Sequence, residues 1–452
     1  MALSSASVFE VRAATGSNNN GGFFVAGASG TDFSQADAPT LTVTDAVTTG
    51  TTTVTSVTGG FLATHVGNGL FLVGDGLYEI KTRVDTNTIT VDRATGTATG
   101  QTANVGGAIA TLNHLATVMV ASNVAWAKGA FTSTATITFA QGAAAGINSR
   151  LFGYGSTRGD ATHATLTLQT NTGLTGINCT GSSWEVAQID VNCASLGTST
   201  GINISNQFSR VERCKVSNFT TAGFSLAGAE SQGIELEATG GGTGATGILT
   251  GTFLENCWVH DNAGTGVTMA SGGSIHRSIV ANNSGASSDG IVVSYQTEAV
   301  NNTCHNNGRD GVRIDAAFNI NQRVRNNILT SNGGYGLRAS AAIQAQANFD
   351  GNAYHNNTSG TRNNVDATTG NYGINPYTNV RDVTLTGSPY VGPTSGGSEN
   401  FGLNDTAGAG AACKAVGTPG AFPGLATTVG FLDLGAVQAE APAASGGSHF
   451  IG

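Results

Sequence analysis

The sequence predicts an all-β solenoid, on a recurring glycine phrase, a second phrase in register with it, and a series of corner asparagines. Glycine followed by apolar–any–apolar starts at Gly176, Gly201, Gly223, Gly266, Gly290, Gly311 and Gly336, in steps of 25, 22, 43, 24, 21 and 25 residues. Strand-like content repeating at such a period marks stacked units, each burying its apolar face only against its neighbours. The second phrase opens with Val211, Leu254, Ile275, Ala299, Val324 and Phe349. Three residues later come Cys214, Cys257, Ser278, Asn302, Asn327 and Asn352, and two after those come Val216, Val259, Val280, Cys304, Leu329 and Tyr354. The spacing of two puts these last two series on one face of a strand, pointing into the coil. Asn262, Asn283, Asn307, Asn332 and Asn357 follow three residues on, where the strand should turn.

Taken in chain order, residues 1–106 read as a small β-rich head. Leu41–Val43, Leu70–Val73, Tyr78–Ile80 and Thr88–Val91 are strand-like, and Asp85, Thr86 and Asn87 sit where a hairpin turns. Residues 107–390 form the coil, on the order of 11 or 12 rungs at about 24 residues each. An amphipathic segment at 108–119 is a candidate capping helix at its start. The step of 43 is close to twice the period. Segment 229–250, with Glu230, Glu235 and Glu237, is therefore either an extra rung, in which Gly233-Ile234-Glu235-Leu236 supplies the phrase, or a protruding loop. Residues 391–452, rich in Gly, Pro and Ala, read as a cap and tail.

The two phrases, together with Gly106-Gly107-Ala108-Ile109 and the strand-like run from Asn123 to Phe131, resemble the right-handed parallel β-helix, or pectate-lyase-like, superfamily. The resemblance implies that fold for roughly residues 107 to 390. It says little about chemistry, because the superfamily hosts lyases, hydrolases, adhesins and virus spikes. The opening Val8–Arg12, with Gly21-Gly22-Phe23 and Gly30–Ser34, resembles the start of tailed-phage β-helix proteins. Phe431 to Gln438 resembles a phrase that closes the last rung in bacterial and phage relatives. Virus spikes of this kind imply a homotrimer around the long axis, docked to other virion proteins through its N-terminal region.

Composition bounds the partners. A net charge of −9 with 19 basic residues argues against nucleic acid, and no apolar run reaches membrane-spanning length. The N-terminus reads as lacking a secretory signal, which points to a protein made in a host cytoplasm and carried in a virion, with an extracellular or cell-surface location as the alternative. The cysteines, Cys179, Cys193, Cys214, Cys257, Cys304 and Cys413, show no CxxC or zinc spacing, and Cys214, Cys257 and Cys304, on inward positions, read as buried core. No cofactor or metal is assigned.

Asp261, Asp289, Asp310, Asp315, Glu298, His260, His305, Arg309, Arg313 and Arg338 are the candidates at corners and outward positions. Asp289 and Asp310, each followed by glycine and 21 residues apart, would stack one rung apart, near the separation that a retaining glycosidase uses. Asp-Gly is equally a good turn dipeptide. If the chain cleaves glycans, Asp289 and Asp310 would act, with Arg313 or His305 beside them. Asn replacements at both aspartates should then leave folding intact. Arg313 and Arg338 share an outward column, where a solvated face is the bland alternative. Asn302, Asn327 and Asn352 read as an inward amide ladder rather than a glycan or metal site. Motifs typical of the superfamily's lyases and galacturonases are not legible. Three functions follow: a non-cleaving virion surface protein (spike, fibre or capsid decoration) that contacts host-surface polysaccharide, a polysaccharide depolymerase acting as lyase or hydrolase, and a bacterial surface adhesin.

Overall fold

A computed structural model describes residues 3–142, 148–170, 173–315, 322–340, 348–363, 382–393, 399–414, 416–417 and 433–437. The chain divides into two compact units, Met1–Thr220 with Phe224–Gln232, and Thr221–Gly223 with Gly233–Gly452.

In the first unit, parallel strands stack on three faces. The first sheet orders Ser7–Arg12, Val124–Lys128, Ser149–Tyr154, Trp184–Ala187 and Arg210–Glu212. The second orders Ala130–Ser133, Ala164–Leu168, Ile189–Asn192 and Lys215–Ser217, and the third Ile137–Phe139, Thr175–Cys179 and Thr200–Ile204. Within the expected 1–106 region, Ser7–Arg12 is thus already a coil strand. Phe23–Val25 pairs antiparallel along its free side, covering an edge that would otherwise offer unpaired amides. Leu41–Thr49, Thr53–Thr55, Thr88–Val91, Gly76–Asp85, Gly69–Leu72 and Thr97–Val105 close a six-stranded barrel filled by Val54, Phe61, Leu70, Leu72, Ile80 and Ile89. Its hairpin turns at the expected Asp85–Asn87, with the Asn87 amide donating to Asp85 Oδ1 at 2.8 Å. The capping helix is Leu112–Val118, its N-cap Thr111 accepting from the His114 amide.

In the second unit, the first sheet orders Phe253–Glu255, Ser274–His276, Glu298–Val300, Arg323–Arg325 and Asn348–Asp350. The second orders Glu237–Thr239, Trp258–His260, Ile279–Ala281, Thr303–His305, Ile328–Thr330 and Ala353–His355. The third orders Thr246–Thr250, Thr265–Met269, Ile291–Val293, Val312–Ile314, Tyr335–Ala339 and Gly360–Asn363. Ala238, Val259, Val280, Cys304, Leu329 and Tyr354 stand in one register, all buried, as the inward column requires. Segment 229–250 is a complete rung. Its third strand pairs Thr246 with Thr265 and Ile248 with Val267, so Gly247, not Gly233, stands at the place of the phrase glycine, with Thr250 where the second apolar residue would be. The repeat is hidden there because Thr250 replaces the second apolar residue of the phrase and Gly241 replaces the asparagine that the next rung has at Asn262. Along the described residues eleven strands recur at the second position and ten at the third, set against the 11 or 12 rungs expected. The capping helix occupies the start of the expected span, and beyond Asn363 the described chain rejoins the coil as Val383–Thr384.

Single left-handed residues make the corners. Arg213, Glu235, Asn256, Arg277, Asn301 and Asn326 precede the Cys/Ser/Asn column, and Asn218, Asp261, Asn282, Asn306, Ser331 and Asn356 follow the second strand. Asn tolerates this region better than most side chains, which explains its frequency there. Inside the corners run two amide ladders. Asn302 Nδ2 donates to Asn327 Oδ1 at 3.1 Å, and Asn327 Nδ2 to Asn352 Oδ1 at 3.0 Å. Asn327 Nδ2 also donates to the Ala299 carbonyl, and its Oδ1 also accepts the Asn302 amide, so both donors and both lone pairs are used. Asp382 ends this ladder by accepting the Asn352 amide at 2.8 Å. Asn262, Asn283, Asn307, Asn332 and Asn357 form the second ladder, with steps of 2.8, 2.8, 3.0 and 2.9 Å. That ladder explains the glycine phrase: a Cβ on Gly290 would lie 2.8 Å from Asn307 Nδ2 and 2.5 Å from the Gly311 carbonyl oxygen.

The C-terminal cap lies on the outer face of the second sheet. Val383–Thr384 adds a strand beside Ala353 and Tyr354, and Leu385, Tyr390, Phe401, Cys413 and Leu434 pack over Ala281, Ile328 and Ala353. Of the terminal phrase 431–438, the described part, 433–437, packs here through Leu434, and the rest lies outside the described residues.

Val280→Asp should cost several kcal/mol, because it buries an unpaired charge in the inward column. Asn327→Ala should cost about 2–4 kcal/mol by orphaning the Asn302 amide and the Ala299 carbonyl. Chemical denaturation of each variant checks both; a near-native midpoint for Asn327→Ala would show that the ladder contributes nothing.

Candidate functional site

Asp289 and Asp310 immediately precede the glycines of adjacent third-sheet strands, and Arg313 and Arg338 stand in direct register on Val312–Ile314 and Tyr335–Ala339. Asp289, Asp310, Arg309, Arg313 and Arg338 converge. Arg309 grips Asp289 with Nε on Oδ1 at 2.7 Å and Nη2 on Oδ2 at 2.5 Å. Arg313 Nε adds a contact to Oδ2 at 2.6 Å, and the Asp310 amide donates to Oδ1 at 3.3 Å. Asp289 is fully buried, so the expectation of an open corner carboxylate is corrected: every approach to it is occupied.

Asp310 is equally buried but less well served. Its Oδ1 accepts the Tyr335 amide at 2.8 Å. Its Oδ2 has no hydrogen bond and faces Arg338 Nη1 at 3.6 Å and Arg309 Nε at 3.9 Å. Burial is the largest cause raising its pKa above the usual carboxylate value, with the Asp289 charge adding to it against the Tyr335 amide and the two arginines. Gly334 leaves the room this needs, since a Cβ there would meet Asp310 Oδ1 at 2.3 Å.

His305 does not join this cluster. It lies on Thr303–His305 of the second sheet, under the cap, edge-on to Tyr390 and Phe401, with Nδ1 2.9 Å from Thr330 Oγ1. Burial pulls its pKa down to about 4, helped by His355. The sequence pattern could not show that the cap covers this face. His260 lies between Glu237 Oε1 at 3.2 Å and Asp261 Oδ2 at 2.8 Å and stacks on Trp258 with 3.9 Å between ring centroids. Asp261 is one of the left-handed corner residues. Glu298 is paired with Arg325 at 3.3 Å and Arg323 at 3.6 Å on the outer face of the first sheet. The Asp315 amide donates to the Val293 carbonyl, extending the third sheet.

Sequence reasoning missed one network altogether. In the first unit, Glu10 is fully buried, accepting from Arg12 Nε and Arg158 Nε at 2.9 Å each and from the Tyr154 hydroxyl. Alternation about Phe9 and Val11 puts Glu10 outward. Nothing local to the sequence shows that Arg158 and Tyr154 would close over it. All six cysteines are buried free thiols, Cys214, Cys257 and Cys304 as expected. Among the described residues, no group of three His, Cys, Asp or Glu side chains is placed to hold a metal ion.

A protein-family profile described as a right handed beta helix region matches residues 175–389. The fold is a right-handed parallel β-helix. No curated protein sequence matches the chain. Among solved structures, pectate lyase Pel9A is 15% identical at a TM-score of 0.53, over 74% of this chain and 91% of the lyase. ORF18 of Geobacillus virus E2 is 14% identical at 0.46, over 61% of this chain and 57% of that protein. An alginate lyase from Paenibacillus sp. str. FPU-7 is 12% identical at 0.38, over 58% and 96%. At 15% identity the likeness to the pectate lyase is one of fold alone, and the chemistry must be read from this chain's own residues.

The expectation that Asn at both aspartates leaves folding intact is corrected by the same geometry. Asp289→Asn should cost about 2–4 kcal/mol, somewhat less than a wholly buried pair because Arg309 and Arg313 keep solvent contact. A denaturation midpoint unchanged by Asp289→Asn would contradict the ion-pair assignment. His305 supplies a pH test. Its folded pKa lies below the unfolded value of about 6.5, so its contribution is complete above that pH and is lost as pH falls toward 4. Relative to His305→Gln, the unmodified chain should lose on the order of 3 kcal/mol between pH 7 and 4. Parallel pH profiles for the two proteins would contradict this.

Proposed function

We propose that this chain is a non-cleaving structural protein of a phage particle surface, a spike, fibre or capsid decoration, whose coil contacts host-surface glycans. The observation that carries this reading is the clasp on Asp289. Glycoside hydrolysis asks one carboxylate to attack, or to activate water, and a second to deliver a proton, with both reaching the bond to be cut. Asp289 is buried with both oxygens held by guanidinium groups. A lyase asks for a basic group free to take a proton. Arg313 has its Nε committed to Asp289.

The particle-surface assignment rests on the likeness of Val8–Arg12 and Gly30–Ser34 to the openings of tailed-phage β-helix proteins. On this reading the N-terminal region meets other virion proteins, and the chain assembles as a homotrimer.

Full-length protein incubated with a panel of bacterial surface polysaccharides should release no reducing ends and no unsaturated products. Light scattering should give three times the chain mass, and antibody should find the protein on purified particles. Robust release of either product from any polysaccharide would overturn the reading in favour of a depolymerase.

A further inference from the structure

Arg313 and Arg338 are like charges in direct register on adjacent strands, an arrangement that destabilises a sheet unless something compensates it. The compensation is incomplete. Arg309, Arg313 and Arg338 face two carboxylates, Asp289 and Asp310, which leaves one positive charge in a chain whose net charge is −9. Arg313 spends only its Nε on Asp289, and neither of its Nη groups has an acceptor among the described residues. Arg338 reaches Asp310 at 3.6 Å, beyond hydrogen-bonding distance, and its Nε is buried without an acceptor. Its side chain is nevertheless 39% exposed, so the part beyond the buried Nε borders solvent.

The aspartates do the positioning. Asp289 fixes the planes of Arg309 and Arg313 through their Nε edges. It thereby removes much of the side-chain entropy that a flexible arginine would lose on binding. The fork geometry of guanidinium suits oxyanions, which it meets with paired, charge-assisted hydrogen bonds. One uncompensated charge suits a monoanion better than a dianion.

We propose that the edge formed by Arg309, Arg313 and Arg338 binds a monoanionic oxyanion, a carboxylate or a phosphodiester, carried on a surface polymer. This inference deepens the preceding reading and rests on it, since the cluster holds the polymer and does not cut it. Asp289 and Asp310 are positioning residues here, and Arg338, the least committed of the three arginines, carries the largest share of recognition.

Calorimetry on the full-length chain tests this with an oligogalacturonate as the carboxylate probe, a glycerol-phosphate oligomer as the phosphodiester probe and a dextran oligomer as the neutral control. The expected result is that at least one anionic probe binds, weakens as salt rises, and weakens at least tenfold in Arg338→Gln, while dextran does not bind. Which anionic probe binds identifies the source of the oxyanion. Arg338→Lys should fall between the two proteins, because it keeps the charge and loses the fork, and it provides a second reading should the Gln variant fold poorly. Arg323→Gln, on the first sheet, should bind as the unmodified chain does. Binding of neither anionic probe, equal binding of dextran, or an unchanged affinity in Arg338→Gln and Arg338→Lys would overturn the proposal. Product release measured in the same samples separates the two readings: absence of both binding and cleavage removes this inference alone, whereas cleavage removes the structural reading.

Discussion

In the second unit the rungs bend around buried asparagines, and these stacked side chains satisfy backbone carbonyls that water cannot reach. A buried unpaired amide or carbonyl costs on the order of 1–3 kcal/mol, and a solenoid repeats that cost at every corner. Asn is well suited because its side chain has two donors and two acceptor lone pairs, and Asn327 uses all four, on the rung before and the rung after. The ladder also sets what surrounds it. The glycine phrase follows from the space that Asn307 and Asn332 occupy beside Gly290 and Gly311. Cys257 and Ser278 occupy the same column in preceding rungs and direct their sulfur and hydroxyl to carbonyls there.

Because satisfaction is handled inside the coil, the outward positions are free to vary, and the charged clusters gather there. The Arg–Asp cluster is the densest of them on the third sheet. Two buried carboxylates one rung apart look, in sequence, like an acid–base pair. In space they serve unequal ends: Asp289 is saturated by arginines, and Asp310 keeps an oxygen without a hydrogen bond. The same residue types therefore support a clasp and a recognition edge, whereas catalysis would need a carboxylate that substrate can reach.

The inward columns were legible in the sequence because strand alternation and rung stacking are local, periodic rules. Val280, Cys304 and Leu329 stand where a spacing of two places them. Legibility failed where periodicity was broken or where distant segments meet. The rung at 229–250 hid because Gly241 replaces the corner asparagine. His305 was read as a possible partner of Asp310 because nothing in its own strand announces Tyr390 and Phe401, 85 and 96 residues later. The Asp289, Asp310 and Arg313 grouping was anticipated, since a fixed period places residues 21 to 25 apart on neighbouring rungs. Its burial was not, because Arg309 sits in a connecting turn whose path no period dictates.

Whether Asp289 serves the fold or chemistry is decided most directly by a double-mutant cycle. The unfolding free energies of the unmodified chain, Asp289→Asn, Arg313→Gln and the double variant give the coupling between the two side chains. A structural clasp predicts a coupling of about 1–3 kcal/mol, with the double variant less destabilised than the sum of the single ones. A coupling near zero, with both single variants as stable as the unmodified chain, would contradict it and return Asp289 to the list of residues free to do chemistry.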